Sequence, residues 1–380
     1  MKGIRTIVVL LIAAALVTVA RSGHEVPIYP SFYPHEIEIR ALAHERAADA
    51  LLKADIHAYV GPPPRFNGPL PDSIRMAESL GSFVVVRINP ESPPAKEDAS
   101  ACAVVNRVVR DLAGKPGEFI FHPYPITPFH GDYLHHADLA EAAKARYSGT
   151  ATGPSSVVSK LNIRASGSLA QSHPDWSATD ADWDAEVIEI DAAELVASAT
   201  LAVNGWLAPP WARTGWFHAE RLLAGVINDT SAKRRIDADS QRLTTSDFSD
   251  IAERINLERD LVASLTAGCR DIVAGYTVKR EYFNAEFSAG IENVGYDAIE
   301  GLQSLMFIRT VKLKDFPWNG WLALGIDAQP KAAWNPIGGM NDRFGRLMWF
   351  AVGDPALVPS PYEAGWMLNR IANILPNSPR

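Results

Sequence analysis

Cysteine is almost missing from this chain, with two in 380 residues. Two thiols build neither a disulfide-dense scaffold nor a four-cysteine zinc site. Basic charge is short as well: 36 Lys and Arg stand against 44 Asp and Glu, a net charge of −8. A nucleic-acid binder neutralises phosphates with a basic face, so that class is excluded. No GxSxG elbow, P-loop, GxGxxG, HExxH or CxxC occurs, which weighs against the commonest hydrolases, nucleotide enzymes and zincins. An enzyme stays open, because triads and metal sites are assembled from distant positions. What is present is an ordinary globular composition, 47% hydrophobic and 21% charged, so wholesale disorder and collagen-like repeats are excluded too.

The N-terminus carries an address. Lys2 and Arg5 precede an uncharged apolar run over residues 7–20. A basic segment followed by a short apolar core reads as a secretory signal peptide, and the run falls short of the roughly 20 residues a membrane span needs. Thr18 and Ala20 supply small side chains for cleavage after Ala20. The alternative is an uncleaved anchor, since Arg21 follows at once, and membrane contact is expected only if this segment is retained. The chain is therefore placed outside the cytoplasm, periplasmic or extracellular. Export permits a Cys102–Cys269 disulfide, although both positions also suit buried free thiols.

All ten tryptophans lie between Trp176 and Trp366, and eight of the ten histidines lie at or before His136. This asymmetry divides the chain into a signal segment or anchor (1–20), an α/β region with a His/Tyr/Pro-rich loop (21–150), a linker and acidic stretch (151–191) and a Trp-rich helix-plus-sheet region (192–380). The expected fold is α+β or α/β, with an N-terminal βαβ-containing region and a C-terminal long helix plus an antiparallel β-hairpin sheet.

In the first region, residues 37–54 read as an amphipathic helix. The run 82–89, SFVVVRIN, reads as a strand buried on both faces. Residues 100–113 read as a helix and 118–122 as a second strand, together a βαβ unit; 138–147 reads as a helix after it. The Pro-rich 61–71 segment fits neither helix nor central strand. In the second region, helices are expected over 192–204 and 215–228. Phe248, Ile251, Ile255, Val262, Leu265, Cys269, Ile272 and Tyr276 recur at three- and four-residue steps, which predicts one long helix over 247–276. Glu258 falls on the same seam, as an edge position, a salt bridge or a buried functional carboxylate. Asn319-Gly320 predicts a two-residue hairpin turn, with 345–353 as a third strand. Ser360-Pro361-Tyr362-Glu363 reads as a capping box opening a last helix to about residue 375.

The densest chemistry is HPYPITPFHGDYLHHAD, residues 122–138, with four histidines, two aspartates and two tyrosines. Imidazole suits zinc, copper, nickel and iron, and carboxylate completes such shells. His122, His130, Asp132, His135 and His136 are the candidate ligands of a divalent transition metal, zinc or copper; Tyr124, Tyr133 and Asp138 are candidate contacts for a small-molecule ligand. No catalytic residue is assigned. The spacing H-x7-H-x4-H-H matches no metal motif, and a proline-rich loop that simply packs its rings is the plain alternative. Asp180, Asp182 and Asp184 alternate as in a calcium loop, but Ala185 stands where Gly is needed and Asp191 where bidentate Glu is needed, so an acidic turn is expected. Trp206, Trp211 and Trp216 recur every five residues, which is no helical stripe, and are expected to cover core. Arg343 and Arg346, by a Gly-Gly loop, are expected at the surface.

The function expected is an exported, non-enzymatic protein that binds a small ligand or metal ion through the His/Tyr/Pro-rich loop. One alternative is a metal-dependent hydrolase using the same histidines on a metal-held water. Another is a membrane-associated accessory subunit presenting its Trp/Pro loops to a protein partner.

Overall fold

The computed structural model describes residues 34, 36–113, 119–147, 161–167, 169–170, 173–176, 182–203, 207–286, 290–314, 320–331, 342–353, 355–369, 371 and 373. The signal segment, His24 and His35 of the Pro/Tyr/His-rich stretch near the expected mature N-terminus, Asp180, Trp206 and the Asn319 turn position lie outside these residues. In chain order the elements that frame the site begin with β1 (Glu36–Ala41), α1 (His44–Leu52), β2 (Ala58–Val60) and β3 (Ile74–Ile88). They continue with α2 (Asp98–Ala113), β4 (Ile120–Phe121), α3 (Ala137–Ala145), β5 (Ile163–Ala165), β6 (Ala185–Asp191) and α4 (Ala192–Val203). Next come α5 (Gly215–Leu223), α6 (Thr230–Thr245), α7 (Ile251–Thr266), β7 (Asp271–Asn284) and β8 (Ile291–Asn293). The last are α8 (Leu305–Thr310), β9 (Lys312–Leu313), β10 (Trp321–Ile326), α9 (Arg343–Val352), β11 (Leu357–Pro359) and β12 (Trp366–Leu368).

The fold is mixed α/β. One large sheet runs in the order β1-β10-β2-β7-β3-β6-β5, with β4 also on β7, and two small antiparallel sheets pair β8 with β9 and β11 with β12. β3 and β7 form its spine, paired antiparallel over most of their length. The apolar run in β3 explains why. Phe83 and Val85 point into one core, with Trp216, Leu261 and Val262, while Val84 and Val86 point into another, with Val104, Val105, Val108 and Val109 of α2. A strand covered on both faces is apolar at successive positions rather than alternate ones. Strands from before residue 150 and after residue 185 alternate in this one sheet.

The βαβ unit is present in a split form. β3, α2 and β4 follow in sequence, and β3 and β4 lie antiparallel on opposite edges of β7, which separates them. The expected helix over 37–54 begins only at His44; Ile37 and Ile39 alternate with charged residues and belong to β1, parallel to β10. The long helix over 247–276 is also corrected. It stops at Thr266, and Asp271 onward is β7. The three- and four-residue spacing persists by coincidence through Ile272 and Tyr276, where β-branched residues after Gly268 favour strand. Cys269 therefore lies in the turn between α7 and β7, not on a helical stripe, and it is bridged to Cys102 of α2.

Three C-terminal expectations are corrected as well. β9 and β10 do not form a hairpin across 319–320, because β10 pairs parallel with β1 and β2 whereas β9 pairs with β8. Residues 343–352 are helix rather than strand: Asp342 accepts the Gly345 N–H at 2.8 Å as N-cap, and Leu347 and Phe350 are buried at a three-residue step. Ser360-Glu363 opens no helix; it forms the turn between β11 and β12. Trp216 is buried and Trp211 packs on the same core, as expected for residues that cover it. Arg346 is buried, not at the surface. Asp191 ends β6, so the acidic run forms no calcium loop.

Candidate metal centre

Residues 122–136 leave β4 and fold over the α5–α7 side of the sheet, with Tyr124 and Ile126 in that core. Glycine makes the approach possible: a Cβ at Gly215 would lie 2.5 Å from an Ile126 methyl. The loop is then tied to the start of α5. Asp132 Oδ1 accepts the Gly215 N–H at 2.9 Å and Oδ2 the Trp216 N–H at 3.2 Å. A carboxylate at a helix N-terminus satisfies free amide donors and complements the helix dipole.

The second anchor comes from α7. Arg259 donates to both oxygens of Asp138 at 2.8 Å and also to the His135 carbonyl. This pairing holds the Asp138 carboxyl down at about 2. Asp138 thus fastens α3 and the loop before it to α7. The preceding residue of α7, Glu258, is buried, with 2% of its surface exposed.

Asp132, His136 and Glu258 converge. One potential ligand atom from each lies within 4.8 Å of the others. His135 Nδ1 is 3.7 Å from Glu258 Oε2, and Arg254 Nε is 3.5 Å from Glu258 Oε1. Four buried atoms here have no hydrogen-bond partner: His135 Nδ1, His136 Nε2, Glu258 Oε2 and Arg254 Nε. Buried polar atoms are ordinarily paired, at a cost of about 1–3 kcal/mol each when they are not. The electrostatics register the same crowding. Burial, then the neighbouring Asp132 charge, push the Glu258 carboxyl up to about 7. Burial, then Arg259, push the His136 imidazole down to about 4. Burial also raises Asp132 despite the amides that it accepts. A cavity of about 300 Å³ opens beside the cluster, lined by Asp132, His135, Arg254 and Glu258 together with Glu363 and Gly365 of the β11–β12 turn.

His136 is also oriented. Its Nδ1 is 2.9 Å from the Tyr124 hydroxyl, which leaves Nε2 as its buried, unpartnered ring nitrogen. A second hydrogen bond that fixes the ring is the usual support of a ligating histidine. Tyr124 in turn lines a larger cavity of about 550 Å³, with Arg110, Arg146 and Ile272.

The remaining candidates are placed elsewhere. His122 Nε2 lies 2.8 Å from the Ile126 carbonyl oxygen, and its ring packs near Tyr133 and Tyr276. His130 belongs to a separate buried pair: Thr127 N–H donates to its Nδ1, and its Nε2 is 2.9 Å from His218 Nδ1. So Asp132, His135 and His136 meet, while His122, His130, Tyr133 and Asp138 serve the loop's own architecture. Of the residues the loop pattern does not contain, Glu258 had a signal, a carboxylate on an apolar seam. Arg254 and His218 had none.

No family model matches the chain, and no curated protein matches it. Among solved structures it is similar to the oligopeptide-binding protein AppA from Bacillus subtilis, in complex with a nonapeptide, at 12% identity and a TM-score of 0.36, over 71% of this chain and 58% of that one. It is similar to the periplasmic EDTA-binding protein EppA at 12% identity and a TM-score of 0.36, over 66% and 53%. It is also similar to NikZ from Campylobacter jejuni, in complex with Ni(L-His), at 13% identity and a TM-score of 0.34, over 66% and 56%. The chain spans a little over half the length of each.

Proposed function

We propose that this is an exported, non-enzymatic binding protein that holds a divalent transition metal ion, zinc or copper, at Asp132, His136 and Glu258 with His135 alongside. The observation that carries the reading is the set of buried, unpartnered atoms on His135, His136 and Glu258 around one point. A cation of this class accepts imidazole nitrogen and carboxylate oxygen together, and it would satisfy the His136 and Glu258 atoms at once. Tetrahedral zinc holds such donors about 3.3 Å apart, given bonds of about 2.0–2.1 Å, so side-chain rotations of roughly an ångström would close the shell.

Export is supported by the basic and apolar N-terminal pattern and by the Cys102–Cys269 bridge, since disulfides persist in oxidising compartments. Among the described residues no helix is long and apolar enough to cross a membrane. The partner proposed is a metal ion, alone or carried by a small molecule for which the Tyr124-lined cavity offers room.

Calorimetric titration of zinc and of copper into the purified chain tests the reading. The expected result is one ion per chain, with affinity falling at least tenfold in His136→Ala and in Glu258→Gln while the far-ultraviolet circular dichroism is unchanged. A wild-type chain that binds neither ion overturns it, and so does binding that both variants retain.

A further inference from the structure

The cavity beside the cluster has a wall that comes from the far end of the chain. Glu363, Ala364 and Gly365 line it together with Asp132, His135, Arg254 and Glu258. The turn that carries Glu363 is held by its own backbone. Ser360 N–H donates to the Gly365 carbonyl at 2.8 Å, Gly365 N–H to the Glu363 carbonyl at 2.8 Å, and Ala298 N–H to the Pro361 carbonyl at 3.1 Å. The turn also presses on the loop. Gly131, the residue before Asp132, meets the Tyr362 carbonyl so closely that a Cβ there would overlap it. Backbone contact therefore sets Glu363 at this cavity, while its side chain is exposed and in no ion pair among the described residues.

We propose that Glu363 is a further ligand of the ion held by Asp132, His136 and Glu258, so that the metal ties the β11–β12 turn to α7 and to the 122–136 loop. This rests on the metal-binding reading above. Three protein ligands leave a coordination position open on a tetrahedral ion, and the cavity is the space onto which that position would open. A carboxylate on a rotatable stem is the donor that the cavity wall supplies there. The consequence is structural: the ion would add a side-chain tie to a terminal hairpin that backbone contacts alone dock on the loop. The hairpin's strand β12 is exposed, with Trp366 at 48%, so both its fluorescence and its protease sensitivity report that tie.

The test titrates zinc alone into the full chain, into Glu363→Gln and into Glu97→Gln, an exposed glutamate on another face. In the wild type and Glu97→Gln, zinc is expected to slow proteolysis within 357–368 and to shift the tryptophan emission. In Glu363→Gln the affinity should fall tenfold or more and both hairpin responses should disappear, with circular dichroism unchanged. Glu363→Gln that binds zinc as tightly as the wild type overturns this inference and leaves the Asp132–His136–Glu258 site standing. A wild-type chain that binds no zinc overturns both.

Discussion

The buried pair His130–His218 makes a sharp prediction about acid. Thr127 N–H donates to His130 Nδ1 at 2.9 Å, so that nitrogen bears no proton and Nε2 does. His130 Nε2–H then donates to His218 Nδ1 at 2.9 Å, and His218 Nε2–H to the Ala212 carbonyl at 3.0 Å. Every ring nitrogen is used, and each ring is neutral. A proton added to His218 Nδ1 would meet the His130 N–H head-on. Burial holds the His218 imidazole down to about 3, and burial with the His218 ring lowers His130 well below its ordinary value. The unfolded chain takes up these protons near pH ~6.5 and the folded chain refuses them. The stability is therefore complete above pH ~6.5 and is lost as pH falls from there toward the folded value. At pH 5 the gap for His218 is about 1.5 pH units, or about 2 kcal/mol at ~1.36 kcal/mol per unit. Glu258, raised to about 7, works in the opposite sense, because its folded form protonates first and gains stability over the same range. The wild-type curve alone mixes the two. The assay is urea unfolding of the wild type and His218→Gln at pH 7.5 and pH 5. Glutamine retains a donor and an acceptor but does not titrate, and Glu258 cancels in the comparison. The stability of the variant relative to the wild type should rise by about 2 kcal/mol on going to pH 5. A difference that stays constant between the two pH values refutes the reasoning.

The other predictions concern the scaffold. Leu265, buried on α7, should cost about 2–5 kcal/mol when changed to Ala, as a cavity in a core does; an unmoved denaturation midpoint would mean that this face of α7 is not packed. Reducing the Cys102–Cys269 bridge, which closes a separation of 167 residues, should lower stability by about 2–5 kcal/mol, read as the change in urea midpoint with and without reductant. Mass spectrometry of the exported protein should find a chain beginning after Ala20; a chain still starting at Met1 would mean that the segment is retained as an anchor.

What local pattern encodes here, the sequence displays; what distant partners decide, it does not. The apolar run in β3 and the valine face of α2 are legible because burial on two faces and a helical stripe each leave their own period. Residues 271–276 continue the spacing of α7, yet they pair with β3 residues almost 190 positions away, for example Val273 with Val85, and such pairing leaves no local mark. The Asn319-Gly320 signal fails for the same reason, since β10 takes its partners from β1 and β2 near the N-terminus. Ser360 uses its hydroxyl on Tyr362 N–H inside a hairpin turn, where the capping-box pattern predicts a helix. At the site, the density of His and Asp over 122–138 pointed to the loop in which Asp132 and His136 converge with Glu258. It could not separate His135 and His136 from His122 and His130, because the difference lies in which ring nitrogens the fold satisfies. Glu258 was visible only as a charge out of place on an apolar face.

The central claim is that one transition-metal ion sits among Asp132, His136 and Glu258. Anomalous diffraction from crystals of the full chain grown with zinc, recorded on both sides of the zinc absorption edge, measures this directly. The account predicts one dominant peak about 2 Å from His136 Nε2 and from a carboxylate oxygen of each of Asp132 and Glu258. A peak at other residues, or no peak within this cluster at saturating zinc, would contradict it.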